Sequence, residues 1–246
     1  MVLKMRVLAV IPARLGATRL PRKPLREIAG VPMVGRVYEA VRAFPLLGAE
    51  DVLIATDSEE IMELCRVRGY VARMTSAAHR SGTERVHEIA KGVAADVYLN
   101  IQGDEPLTRP EHIASLIELM KNPAVSVGTL KTPAGAEDIQ NPNAVKVVTD
   151  KQGRALYFSR STIPCDRDGN QQVRYFKHLG FYGYRRDALE RFVSLPECDL
   201  ERSERLEQLR FLDDGIEIHV AETPFDTIGV DTEEDVLRVE ARLRAR

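Results

Sequence analysis

Short uninterrupted apolar runs alternate along the chain with stretches in which apolar residues recur every third or fourth position. Val7 to Ile11, Val52 to Ala55, Val71 to Met74, Val97 to Ile101 and Val125 to Leu130 are too short for helices and read as buried strands. Between them Met33 to Phe44, Glu59 to Arg68, Thr83 to Gly92 and His112 to Met120 carry helical spacing. This alternation predicts an α/β fold with a mostly parallel central sheet covered by helices on both faces. The rhythm changes after about residue 131. Ala144 to Val148, a Lys151-Gln152-Gly153 turn and Ala155 to Phe158 read as a hairpin, and Pro164 to Gln172 as a polar loop. His178 to Tyr184 resumes a strand pattern, Arg186 to Val193 and Ser203 to Leu212 read as helices, and Ile216 to Glu222 with a helix over Glu233 to Arg244 closes the chain. No repeat or low-complexity linker interrupts it, so one domain over 1–246 is expected, with the region about 131–200 inserted into it.

Composition narrows the function classes. The 246 residues are 44% hydrophobic and 29% charged, which suits a compact globule with a full core. A net charge of -2 gives no global basic footprint, so nucleic acid is not an expected partner and any anion site must be a local cluster. Cys65, Cys165 and Cys198 are odd in number and form no C-x-x-C pair, which argues against a zinc site or a disulfide framework and fits a reducing cytoplasm. The amino-terminal residues lack a signal-peptide pattern and no apolar stretch approaches the roughly 18 residues of a membrane span, so a soluble cytoplasmic protein with no membrane partner is expected.

Candidate chemistry begins where the first strand ends. Pro12 to Leu25 holds Arg14, Arg19, Arg22 and Lys23, with Arg26 just beyond, and Gly16 permits close backbone approach to a ligand. Ligands of open α/β sheets bind at strand carboxyl ends, and guanidinium and ammonium groups there suit a polyphosphate. The loop is neither a Walker A nor a Rossmann G-x-G-x-x-G motif, and a solvated basic loop paired to surface acids is the competing reading. Gln102-Gly103-Asp104-Glu105 places two acids after the fourth strand, and Asp231 precedes the last helix. Hard Mg²⁺ takes such carboxylates together with substrate phosphates, although Asp104 equally suits a turn and Asp231 a helix cap. His79 to Arg85 opens a helix with Ser81 or Thr83 as cap, or leaves polar groups to read a base edge. Arg160 suits a carboxylate in two-point geometry; His178 fits a structural hydrogen bond; Glu207 and Gln208 suit either sugar hydroxyls or a solvated helix face.

The run IPARLGATRLPRKPL, with QGDEPL, HRSGTERV, YFSRSTIP, KHLGFYGYR, RLEQLR and GVDT, resembles the sugar-activating cytidylyltransferases, in particular the branch acting on 3-deoxy-manno-octulosonate (Kdo). The resemblance spans nearly the whole chain. It implies a Rossmann-like three-layer sandwich of the nucleotide-diphospho-sugar transferase type with an inserted β-rich sugar-binding and dimerisation region. It implies CMP transfer from CTP to Kdo for lipopolysaccharide biosynthesis, with Mg²⁺ as cofactor and a homodimer as the assembly. Carried onto this chain, Arg14, Lys23 and Asp104 are catalytic, and Asp104 and Asp231 hold the metal, with Glu105 a secondary candidate. Ala13, Arg14, Gly16, Lys23, Arg80, Ser81, Thr83, Gln102 and Asp104 bind the nucleotide. Arg160, His178, Tyr182, Glu207 and Gln208 bind the sugar. Two departures stand out, Ala17 where the family commonly has Ser and Arg22 where it commonly has Gly. CMP transfer to an 8-amino Kdo analogue or a nonulosonic acid is the alternative within the class. A catalytically silent nucleotide-binding regulator is the alternative outside it.

Overall fold

The structure is a computed structural model and describes residues 5–16, 19–169 and 173–245. The chain divides into two compact units, Met1–Ala114 with Thr227–Arg246, and Ser115–Asp226.

In the first unit β1 (Val7–Ala13) is buried at every position. A strand with neighbours on both sides and both faces covered tolerates no polar alternation, which is why its sequence is an unbroken apolar run. A small antiparallel pair, β2 (Glu27–Ile28) and β3 (Val31–Pro32), leads into α1 (Met33–Arg42), which buries Met33, Val37, Tyr38 and Val41 along one stripe. β4 (Val52–Thr56) lies parallel to β1 with Val52 opposite Ala9. α2 (Glu59–Arg68) starts where the Ser58 hydroxyl accepts from the Ile61 N–H and stops at Gly69, whose φ of 72° ends the helix. β5 (Ala72–Met74) pairs parallel with β4. α3 (Gly82–Gly92) follows, and β6 (Val97–Ile101) then returns to the far side of β1, setting Val97 opposite Val7. The order β6-β1-β4-β5 therefore changes direction between β1 and β6. A crevice opens beyond the carboxyl ends of strands at such a switch point, and the segments after β1 and β6 border it. α4 (Pro110–Met120) carries the chain onward.

In the second unit β7 (Val127–Pro133) is followed by the single turn α5 (Ala136–Ile139) and the hairpin of β8 (Lys146–Thr149) and β9 (Ala155–Ser159). The hairpin turn is closed by Asp150, whose carboxylate accepts the Gln152 and Arg154 N–H groups. β10 (Phe176–Tyr184) runs antiparallel to β7, with an irregularity between Leu179 and Tyr182, and also pairs with β8. After α6 (Arg186–Ser194) the expected helix over Ser203 to Leu212 is not formed. Two short helices stand there, α7 (Asp199–Glu204) and α8 (Leu209–Asp213), with Arg205 in the left-handed region at φ 55° between them. The reason lies in a buried pair. The Arg210 guanidinium donates to both Glu201 oxygens at 2.7 and 2.6 Å and lies 4.3 Å from the Phe192 ring centroid. Nine residues of continuous helix would separate these side chains by roughly 13 Å along the axis, so the chain must fold back for the pair to close. β11 (Ile218–Glu222) then pairs parallel with β7.

α9 (Glu233–Arg244) completes the first unit on a capping box between Thr232 and Asp235. The architecture is the expected Rossmann-like α/β fold with a mostly parallel sheet. Among the described residues no helix is long and apolar enough to cross a membrane.

Candidate active site

One apolar cluster organises the segments around the crevice. Leu20 from the cationic loop, Leu107 from the turn after β6, Ile228 and Val230 from the irregular segment before the last helix, and Val236 and Val239 of α9 pack together with Ile28 and Met33. Side chains that share one buried cluster cannot drift independently, so the polar neighbours of these residues are brought to fixed positions. Two closer contacts refine the placement. Gly103 lies against the end of β1 so tightly that a Cβ there would come within 2.6 Å of the Pro12 carbonyl oxygen. The Val230 N–H donates to the Asp104 carbonyl at 2.9 Å, which ties the two acid-bearing segments together.

The result is a polar cavity of about 380 Å³ bordered by Arg14, Lys23, Gln102, Asp104 and Asp231 among others. Lys23 stands between the two carboxylates. Its Nζ donates to Asp104 Oδ2 at 2.7 Å and to Asp231 Oδ1 at 3.0 Å. Burial alone would lower the pKa of this ammonium, but the charges and hydrogen bonds of Asp104 and Asp231 outweigh it and hold it above the ordinary 10.5. Desolvation likewise pushes the Asp231 carboxyl upward, and Lys23 with Arg19 more than reverses this, holding it below 3.8. Asp231 is not the helix cap; Thr232 takes that role, leaving the Asp231 side chain to the cavity.

The five cations of the loop divide by partner. Arg19 donates to Asp231 Oδ2 at 2.7 Å and Arg26 to Glu233 at 2.9 Å, while Arg22 pairs with Glu60 of α2. Arg14 is exposed on the cavity wall and has no ion pair among the described residues. Arg22 has φ 57° and ψ 30°, a left-handed conformation that suits glycine better than any residue with a Cβ. Ala17 lies outside the described residues.

Ala13, Gly16, Arg80, Ser81 and Gln102 all border the same cavity. Ser81 caps α3, accepting from the Glu84 N–H at 3.3 Å. Thr83 is fully buried behind the wall, where the Asn100 amide donates to its hydroxyl at 3.4 Å. Arg85 and His79 also line the wall, beyond the residues expected from sequence. Arg85, almost wholly buried, donates to Asp57 and to Thr75 Oγ1 at 2.7 Å, fixing the segment that precedes α3. His79 is held by Glu88.

The expected sugar residues belong to the second unit. Tyr182 and Gln208 are buried, and the Tyr182 hydroxyl and Gln208 Nε2 make no hydrogen bond of normal geometry among the described residues. Burial, with Tyr184 and Glu207 nearby, raises the Tyr182 hydroxyl well above its usual pKa. His178 meets Thr129 Oγ1 at 3.0 Å and lies edge-on to Phe158, and burial depresses its pKa to about 3, so the ring is neutral. The single Thr129 hydroxyl proton goes to the Phe181 carbonyl at 2.7 Å, which makes His178 Nε2 the donor in their bond. Arg160 donates to the carbonyls of Glu204 at 2.7 Å and Pro142 at 3.0 Å, while the Glu204 carboxylate accepts from Ser159 Oγ and the Arg160 N–H. Glu207 and Gln208 occupy the break between α7 and α8 rather than a solvated helix face.

Cations and carboxylates facing one another across a switch-point crevice suit the handling of a polyphosphate, and the fold is that of a nucleotidyltransferase. Comparison with known proteins narrows it. The profile of the family described as cytidylyltransferase matches residues 8–218. The 3-deoxy-manno-octulosonate cytidylyltransferase of Koribacter versatilis is 65% identical over 241 residues, covering 98% of this chain and 91% of that protein. That of Acidobacterium capsulatum is 57% identical over 240 residues, covering 98% and 97%. A solved structure of CMP:2-keto-3-deoxy-manno-octonic acid synthetase complexed with CTP superposes with a TM-score of 0.91 at 41% identity, covering 98% of this chain and 99% of that one. The chain belongs to the cytidylyltransferase family.

Proposed function

We propose that this protein transfers CMP from CTP to 3-deoxy-manno-octulosonate, releasing pyrophosphate and supplying CMP-Kdo for lipopolysaccharide biosynthesis. The observation that carries the reading is the placement of Lys23 against Asp104 and Asp231 in a cavity that Arg14 also borders. The named relatives act on this sugar acid, and the solved relative is complexed with CTP.

The sugar's anomeric hydroxyl oxygen forms a bond to the α-phosphorus, the bond from that phosphorus to the bridging oxygen of pyrophosphate breaks, and the hydroxyl proton passes to solvent. No covalent enzyme intermediate is needed. Arg14 and Lys23 offset charge on the departing phosphates, and positioning and electrostatics supply most of the rate. Ala13, Gly16, Arg80, Ser81 and Gln102 hold the nucleotide, with Thr83 supporting them from behind. Asp104 and Asp231 are the residues that would hold Mg²⁺. Two carboxylates on one cavity, both reached by the Lys23 ammonium, fit an ion that takes its remaining oxygens from phosphate and water; among the described residues no group of three or more potential ligands gathers. Lys23 already bridges both acids with a positive charge, which supports a cation position there. Bound magnesium would polarise the triphosphate and lower the pKa of the hydroxyl.

The region about 131–200 is assigned to sugar binding and dimerisation, and the protein to the cytoplasm as a homodimer. Arg160, His178, Tyr182, Glu207 and Gln208 are assigned to the sugar acid. The buried, unsatisfied Nε2 of Gln208 supports this, because such a group costs about 1–3 kcal/mol unless a ligand meets it. Pyrophosphate release tests the reading, with CTP and Kdo set against UTP, ATP, sialic acid and an 8-amino Kdo analogue. Release with Kdo and CTP alone is expected; release only with another acid reassigns the substrate, and none with any acid favours a regulator.

A further inference from the structure

Glu105 adjoins Asp104 but does not line the cavity, and its side chain is committed elsewhere. Its Oε2 accepts from the Thr227 hydroxyl at 2.7 Å, and Thr227 is 1% exposed. Its Oε1 lies against Gly229, where a Cβ would approach to 3.3 Å. The Glu105 backbone is equally constrained. Its N–H donates to the Gln102 carbonyl at 3.2 Å, and its carbonyl accepts the Thr108 N–H at 2.9 Å and the Thr108 hydroxyl at 2.7 Å. One end of this residue is thus locked in the turn that carries Asp104, and the other grips the segment that carries Asp231.

We propose that Glu105 is a positioning residue that sets the separation of Asp104 and Asp231 by holding Thr227 and Gly229. The inference rests on the reading of those two aspartates as metal ligands. With the Val230–Asp104 backbone bond, the grip gives two fixed points on either side of Gly229, and two points define the direction of the segment as one does not. A charge-assisted bond between a carboxylate and a buried hydroxyl is strong enough for the task. An octahedral ion held at roughly 2.1 Å tolerates little error in the spacing of its ligands, so loss of the grip acts on metal affinity before it acts on nucleotide affinity.

The test is Mn²⁺ binding in the presence of CTP without any sugar acid, followed by the electron paramagnetic resonance signal of the free ion. CTP affinity in chelator and the thermal midpoint are measured alongside. Thr227→Val keeps the side-chain shape and removes the donor. It is expected to weaken Mn²⁺ binding about tenfold with CTP affinity in chelator unchanged, and Thr227→Ser to restore it. Gly229→Ala pushes on Glu105 from the other side and is expected to weaken Mn²⁺ in the same way, which carries the test if the valine variant does not fold. Asp231→Asn separates the two levels. Should it bind Mn²⁺ as the wild type does, the metal assignment falls; should it weaken binding while Thr227→Val and Gly229→Ala leave it intact, the positioning role alone is overturned. Equal loss of CTP and Mn²⁺ affinity in the valine and alanine variants would also overturn it, marking a general loosening of the fold.

Discussion

Lowering the pH from about 7.5 to about 5 should destabilise the protein through His178 in particular. Burial holds this imidazole near a pKa of about 3, against 6.5 in ordinary exposure. Its folded pKa is depressed, so between those values the unfolded chain binds a proton that the folded chain refuses. The contribution is therefore fully present above about pH 6.5 and is lost as pH falls toward 3. Each pH unit well below the unfolded value costs about 1.4 kcal/mol, so about 2 kcal/mol is gone at about pH 5. The assay is urea unfolding of wild type and His178→Gln at both pH values. Glutamine stays neutral and can still donate to Thr129, so the variant should lose about 2 kcal/mol less than the wild type over the interval. Equal losses in the two proteins would refute the burial argument, as would an imidazole resonance of His178 that titrates between pH 5 and 7.5 in the folded protein.

Lys23→Met should reduce turnover about 100-fold or more, the usual effect of removing a preorganised donor to a charged reacting group, and normal turnover in the pyrophosphate assay would remove Lys23 from the mechanism. Arg210→Met leaves the buried Glu201 carboxylate without its partner and should cost about 3–5 kcal/mol in urea unfolding, whereas replacing both partners with apolar residues should recover most of it. Arg22→Gly removes left-handed strain of about 1 kcal/mol at the loss of an exposed ion pair worth less, so calorimetry should show a slightly raised thermal midpoint.

Local signals were the legible part of the sequence. Ser58 and Gly69 bracket α2, and its observed bounds are those expected, as they are for α9. The apolar runs gave β1, β4 and β6 to within a few residues, because full burial leaves no other composition possible, whereas β5, expected as a buried strand, is an edge strand with Met74 44% exposed. Contacts that exist only after folding were not legible. Nothing in the spacing of Glu201 and Arg210 announces a buried pair, so the sequence pattern predicts continuous helix across the break that places Glu207 and Gln208. The meeting of Asp104 with Asp231 was reached through family resemblance and not through periodicity. Arg19 and Arg85 lie within motifs that the sequence shows, but their partners Asp231 and Asp57 come from other segments, so the ion pairs themselves are not legible there. In the sequence Glu105 stands as a secondary metal candidate beside Asp104, because its bond to Thr227 forms only on the chain's return to the first unit.

The Lys23 ammonium lodged between Asp104 and Asp231 also bears on how the site would take up its ligands. Two neighbouring negative groups without it would repel each other and recruit whatever counterion the solvent offered. If the two acids take a metal ion as proposed, loading is an exchange: the lysine would leave for the acids to accept a new positive partner, most readily when phosphate oxygens arrive to receive it. Metal and nucleotide should therefore favour each other's entry, each weak alone and tighter together.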